Sequence, residues 1–194
     1  MDRLLLIRHA EAAKDDSPNP ALSPIGRKQA ERLAEFLMGF EADVLLHGPR
    51  LRTHETARII ARQLSLSSAP SELLEDRTPY PSNDRVRDYT PWQRDYLRTV
   101  PEDERDVNGE VITESWNRLN DSMQAGTVIA VTHAFVVSSF VSHVLGAAPN
   151  AWMRLHIANA SITELHVRPS GEWAIDGVNS TIHLKSSLMP AATE

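Results

Sequence analysis

Cysteine is absent from the 194 residues. That excludes disulfides, cysteine-ligated zinc and a thiol nucleophile, so any covalent chemistry falls to another side chain. No apolar stretch approaches the roughly 20 residues that span a bilayer. Only four strongly apolar residues follow Met1-Asp2-Arg3, too few for a signal-peptide core. The expectation is a cytoplasmic protein with no membrane partner. No Lys/Arg-rich run relieves the net charge of -6, and an acidic chain without a basic patch is a poor nucleic-acid binder. Neither a Gly-rich phosphate loop nor a Gly-x-Ser-x-Gly elbow occurs, and no internal repeat or low-complexity segment is visible.

Against these absences stand regular alternations of apolar runs. Leu4-Leu5-Leu6-Ile7 reads as a buried strand near the N-terminus. Residues 10–21, with Pro18 and Pro20, read as a loop. Ser23-Pro24 suits a helix start, Ser as N-cap and Pro in the first turn. Ala30, Leu33, Ala34, Leu37 and Met38 then recur at helical spacing, and Gly39 is a natural stop. Val44-Leu45-Leu46 predicts a second strand. Gly48-Pro49 turns the chain into a helix ending near Leu64. Helices are also expected over Glu114–Gln124 and over the apolar stretch Val136–Leu145, with a strand between them at 128–132. Ser161–Val167 and Trp173–Val178 predict strands paired across Pro169-Ser170-Gly171. Residues 76–113, with Pro79, Pro81, Pro91 and Pro101 among mixed charges, predict an irregular excursion holding one short helix near Trp92–Leu97. One domain over 1–184, with a loose tail at 185–194, fits a prior of roughly 150 residues per domain. No oligomeric state is implied.

The chemistry gathers at strand ends. Arg8-His9 closes the first apolar run, and Val128-Ile129-Ala130-Val131-Thr132 ends in His133. The C-terminal edge of an open α/β sheet is where ligands collect. Arg52 opens the second helix. Two imidazoles and two guanidiniums suit a phosphoryl group, because the planar guanidinium fork binds phosphate oxygens two at a time. Phosphoryl transfer also needs a nucleophile, which a neutral imidazole can be, and a proton for the leaving oxygen. Arg8, His9, Arg52, His133 and Glu75 are the candidates. His54-Glu55 lacks the second His of a zinc helix, since Arg58 stands there. His47, His143, His156, His166 and His183 show no ligand spacing and read as structural.

Six blocks in order carry a resemblance. They are Leu6-Ile7-Arg8-His9-Ala10-Glu11, Leu22 to Ala30, Pro49 to Ala57, Leu73-Leu74-Glu75, Glu114-Ser115 and Val131-Thr132-His133-Ala134. With them the chain resembles the histidine phosphatase superfamily, which includes the cofactor-dependent phosphoglycerate mutases. The resemblance implies a three-layer α/β/α sandwich with a mostly parallel sheet and a site needing no metal or cofactor. It implies His9 as a nucleophile that becomes phosphorylated, Arg8 and Arg52 as the phosphoryl clamp, His133 as a further donor, and Glu75 as the leaving-group acid with Glu72 as fallback. The expected activity is hydrolysis of a phosphomonoester, on a small molecule or a phosphoprotein. The alternatives are a phosphoglycerate-type mutase and a non-catalytic member that binds a phospho-ligand or a protein. The sequence also departs from the family pattern. Ala10 and Ala134 replace glycines, His47-Gly48 replaces a pair of serines, and Asp15 stands where an Asn is usual.

Overall fold

The first strand is buried on both faces, and that decides the architecture. In the computed structural model, which describes residues 1–122 and 126–189, Leu5 and Ile7 pack into one apolar cluster while Leu4 and Leu6 pack into another. Alternate side chains of a strand point to opposite faces. A strand with apolar residues on both faces therefore needs a layer on each side. The elements in chain order are β1 (Arg3–Arg8), α1 (Pro24–Phe36), β2 (Val44–His47), α2 (Leu51–Leu64), β3 (Ser68–Pro70), β4 (Thr78–Tyr80) and α3 (Pro91–Leu97), followed by β5 (Arg105–Val107), α4 (Glu110–Ser122), β6 (Thr127–Thr132), α5 (Ala134–Val144), β7 (Ile162–Val167) and β8 (Trp173–Ser180). Residues from α1 and α2, among them Leu33, Ala57 and Ile60, cover one face of the sheet. Trp116 and Leu119 of α4 and Val137 and Phe140 of α5 cover the other. Each Leu, Ile, Val or Phe side chain among them, withdrawn from water, contributes on the order of 1.5–3 kcal/mol before entropy is counted. The expected three-layer sandwich is the observed fold.

Six strands form the main sheet in the order β3-β2-β6-β1-β7-β8. β3, β2, β6 and β1 run parallel, and β7 and β8 are antiparallel additions at one edge. The register of β1 on β6 is what matters for the site. Leu4 lies beside Val128 and Arg8 beside Thr132, so the two strands end level. The residues that follow, His9 and His133, emerge side by side although 124 positions separate them in the chain.

Several boundaries differ from the sequence expectation. α1 ends at Phe36 with Leu37 as its cap, and Met38 is exposed rather than part of the buried stripe. The start of α1 is as expected. Ser23 caps the Gly26 amide at 2.9 Å and Pro24 occupies the first turn. The excursion is more ordered than its composition suggests. β4 and β5 pair in parallel, and one-turn helices form at Val86–Asp88 and Glu102–Glu104 beside α3. α4 begins four residues before Glu114 because the buried Asp106 carboxylate accepts the amides of Val111 and Ile112 at 2.9 and 2.8 Å. An acidic side chain on the orphan amides of a helix start is stabilising. The expected end of that helix at Gln124 lies outside the described residues. The tail is not loose over its first part. Ser186–Leu188 form a helical turn, and the Leu188 carbonyl accepts from Gln29 Nε2 at 2.9 Å. Residues 190–194 of the expected tail lie outside the described residues.

Candidate active site

Four of the five residues singled out above meet at the C-terminal edge of β1 and β6. His9 is buried. Its Nδ1 lies 2.8 Å from the Ala10 carbonyl. A carbonyl only accepts, so Nδ1 carries the proton and the neutral ring presents an Nε2 lone pair. Arg52 Nε donates to that Nε2 at 3.3 Å. Burial, then the charges of His133, Arg8 and Arg52, push the His9 pKa well below the usual imidazole value. The ring is therefore neutral and nucleophilic at pH 7. An NMR titration should find the His9 imidazole still neutral well below pH 6.5, and a midpoint near 6.5 would contradict this account. The sign for stability follows. The unfolded chain takes up this proton first, so the folded state loses stability as pH falls through about 6.5.

His133 follows β6 with its ring centroid 5.1 Å from that of His9. Its Nδ1 is 3.1 Å from Asp76 Oδ2. Arg52, in the first turn of α2, donates through a terminal nitrogen to the same Oδ2 at 2.6 Å. Arg8 is anchored by a 2.6 Å bond from its terminal nitrogen to the Ile157 carbonyl, and its Nε is buried without a protein partner. Burial lowers the Arg8 pKa, and the neighbouring Arg52 adds to that. The Thr56 hydroxyl ties the two halves together. It donates to the Arg52 carbonyl at 2.8 Å and accepts the Ala10 amide at 3.1 Å. Asn159 Nδ2 supports the His9 carbonyl at 3.1 Å.

Glu75 sits one residue away from the clamp contacts. Its Oε1 accepts from Arg50 Nε at 2.8 Å and from the Asp76 amide at 2.7 Å. The fallback Glu72 is exposed on the helical turn Glu72–Leu74. The carboxylate that touches Arg52 and His133 is Asp76, which sequence reasoning did not single out. Burial alone would raise its pKa, but the hydrogen bond and charge of His133 and the charge of Arg52 hold it far below the usual carboxylate value. No spacing signal marks Asp76, because it stands in a stretch where charges of both signs are frequent.

The departures from the family pattern are accommodated. Ala10 and Ala134 are not among the described residues with positive φ, so a methyl group there brings no left-handed backbone strain. Asp15 is exposed, and its Oδ1 accepts the Ser17 amide at 3.0 Å. Gly48 is required for a different reason. A Cβ there would collide with the Leu74 carbonyl and lie 3.4 Å from His133 Nε2, so glycine lets the Leu74–Asp76 segment approach the site. His47 has its Nδ1 2.7 Å from the Gly48 carbonyl, and its Nε2 is 3.4 Å from His54 Nδ1. Glu55 accepts the Leu22 amide at 2.8 Å and pairs with Arg27. Among the described residues no group of three or more His, Asp or Glu side chains could hold a metal ion.

Several known proteins are similar to this chain. Mouse mitochondrial serine/threonine-protein phosphatase PGAM5 is 29% identical over 185 residues, covering 92% of this chain and 62% of the mouse protein. The Caenorhabditis elegans counterpart is 26% identical over 185 residues, covering 93% and 63%. The chain thus spans about three-fifths of the length of these relatives. Among solved structures, phosphoserine phosphatase of Entamoeba histolytica in complex with 3-phosphoglyceric acid superposes with a TM-score of 0.74 at 21% identity, over 95% of this chain and 100% of that one. Mycobacterial glucosyl-3-phosphoglycerate phosphatase gives 0.72 at 19%, over 93% and 99%. At such identities the two structures speak for the fold. Residues 4–181, which contain every site residue described above, match the sequence pattern of the histidine phosphatase superfamily (branch 1), and the chain belongs to that family.

Proposed function

We propose that this protein hydrolyses phosphomonoesters without a metal ion, through a phosphohistidine on His9. The observation that carries the reading is the state of His9. It is a buried, neutral imidazole whose unprotonated Nε2 faces a guanidinium and a second imidazole. Arg8, Arg52 and His133 neutralise the phosphoryl oxygens, which is most of what such a transfer asks of a protein. His9 Nε2 attacks phosphorus and the P–O bond to the leaving group breaks. The leaving oxygen takes a proton from a carboxylic acid, the role expected of Glu75, whose Oε2 is not engaged by Arg50. Water then attacks the phosphohistidine and gives its proton to the carboxylate left by the first step, the P–N bond breaks, and phosphate and neutral His9 are released. The substrate is a phosphomonoester of a small molecule or a protein, selected by the 76–113 excursion. That segment supplies Asp76 together with Tyr96 and Glu104, whose pKa values are raised by burial and then by the Asp76 charge. Of the departures that motivate a non-catalytic reading, Ala10 and Ala134 are not among the described residues with positive φ, and Asp15 is exposed with its Oδ1 on the Ser17 amide. The cytoplasm remains the proposed location. No described helix is long and apolar enough to cross a membrane.

The test is phosphate release from p-nitrophenyl phosphate and a panel of phosphorylated metabolites and phosphopeptides, with and without EDTA. Undiminished activity in EDTA is expected. So is a phosphoenzyme, trapped by rapid quenching, that is labile to acid and stable to alkali, as a phosphorylated imidazole is. Activity abolished by chelation, or an alkali-labile phosphoenzyme, would overturn the mechanism.

A further inference from the structure

The cationic cluster at the site carries its own counter-ion. Arg8 and Arg52 are close enough for each to lower the proton affinity of its neighbours. His133 adds an N–H aimed at the same place, and like charges packed together with little water repel strongly. One carboxylate oxygen answers them. Asp76 Oδ2 accepts from Arg52 at 2.6 Å and from His133 Nδ1 at 3.1 Å. An oxygen of a phosphoryl group attacked by His9 Nε2 takes its bonds from those same donors. Arg52 reaches His9 Nε2 at 3.3 Å through Nε while its terminal nitrogen holds Asp76, so one guanidinium spans the nucleophile and the carboxylate. Two anionic oxygens do not share a seat at this spacing.

The backbone at Asp76 suits an exchangeable side chain. Its amide is anchored on Glu75 Oε1 at 2.7 Å, and Glu75 is in turn held by Arg50 at 2.8 Å. The residue lies between the turn Glu72–Leu74 and β4, outside regular structure. The main chain is thus fixed, while rotation about the side-chain bonds moves the carboxylate in or out.

We infer that Asp76 is an internal stand-in for the phosphoryl group, a positioning residue that holds Arg52 and His133 in their phosphate-binding arrangement and yields them to the substrate. This rests on the phosphoryl-site reading above. It adds that every phosphate bound must first displace a carboxylate. The affinity for substrate and for product phosphate is therefore set below what the clamp alone would reach, which favours product release.

The measurement is binding of inorganic orthophosphate by isothermal titration calorimetry to wild type, Asp76→Asn and Asp76→Ala, each also in a His9→Ala background. Removing the charge while keeping the shape should tighten orthophosphate binding about tenfold or more, which corresponds to about 1.4 kcal/mol or more. KM for p-nitrophenyl phosphate should fall with it, while kcat does not rise in proportion. Without phosphate both variants should melt at lower temperature, since the cations lose their counter-ion. Phosphate should then raise their melting temperature by more than it raises that of wild type. A purely structural Asp76 would lower the melting temperature without tightening phosphate. Unchanged or weaker orthophosphate binding in Asp76→Asn overturns the inference, whatever happens to turnover. Orthophosphate binding to none of the proteins would overturn the phosphoryl-site reading itself and this inference with it. Binding that tightens in the Asp76 variants, with turnover insensitive to His9→Ala, would support the stand-in and overturn the phosphohistidine alone.

Discussion

His9→Ala is expected to reduce phosphate release by at least about a thousandfold, on the scale seen when a covalent nucleophile is deleted, and to abolish the trapped phosphoenzyme. The fold should survive. His9 follows β1 rather than lying within it, and the neighbouring backbone is held independently. The His9 amide donates to the Thr132 carbonyl at 2.9 Å, and the Ala10 amide to Thr56. Loss of the ring opens space beside His133 but strands no charge, because the imidazole is neutral. Circular dichroism and thermal melting near wild type, together with lost turnover, would assign the nucleophile. Substantial residual turnover with the same metal independence would mean that another group attacks phosphorus.

Arg52→Ala should cost about 10³-fold in kcat/KM, in line with the removal of a guanidinium that stabilises charge on a transferring phosphoryl group. It should also cost stability. The ion pair with Asp76 is mostly shielded, at 11% and 14% side-chain exposure. Breaking a buried pair costs on the order of 3–5 kcal/mol. The lower end applies here, because Asp76 keeps His133 as a partner. Arg52→Lys separates the two effects. A lysine restores one charge but not the fork that reaches both His9 Nε2 and Asp76 Oδ2. Melting temperature should recover in large part and kcat/KM should not. Recovery of both by lysine would show that the charge, and not the two-point geometry, is what the site uses.

How much of this was legible in the sequence depends on the range of the interactions involved. The start of α1 was readable because an N-cap is a local device, Ser23 reaching an amide three residues on. The strand at Leu4–Ile7 was readable because a short apolar run bounded by charge has few other uses. Boundaries failed where a distant partner decides them. α4 begins early because Asp106, coming from β5, caps it, and the tail is docked because Gln29 of α1 holds Leu188. The excursion at 76–113 read as irregular because three-residue strands such as β4 and β5 carry too few residues to show alternation.

The site divides along the same line. Sequence alone determined which residue types are available and that Arg8, His9 and His133 stand at the ends of buried strands, with Arg52 at the start of a helix. Those are consequences of local hydrophobic pattern and turn chemistry, and the family resemblance attaches roles to them. The tertiary structure decided what touches what. The level register of β1 on β6 brings His9 beside His133. The missing side chain at Gly48 lets the Leu74–Asp76 segment close in. Together these turn Asp76 rather than Glu75 toward Arg52 and His133. Two adjacent carboxylates in one loop are indistinguishable to a sequence pattern. Only the packing of the chain around them, which depends on contacts across the whole sheet, selects the one that reaches the cations.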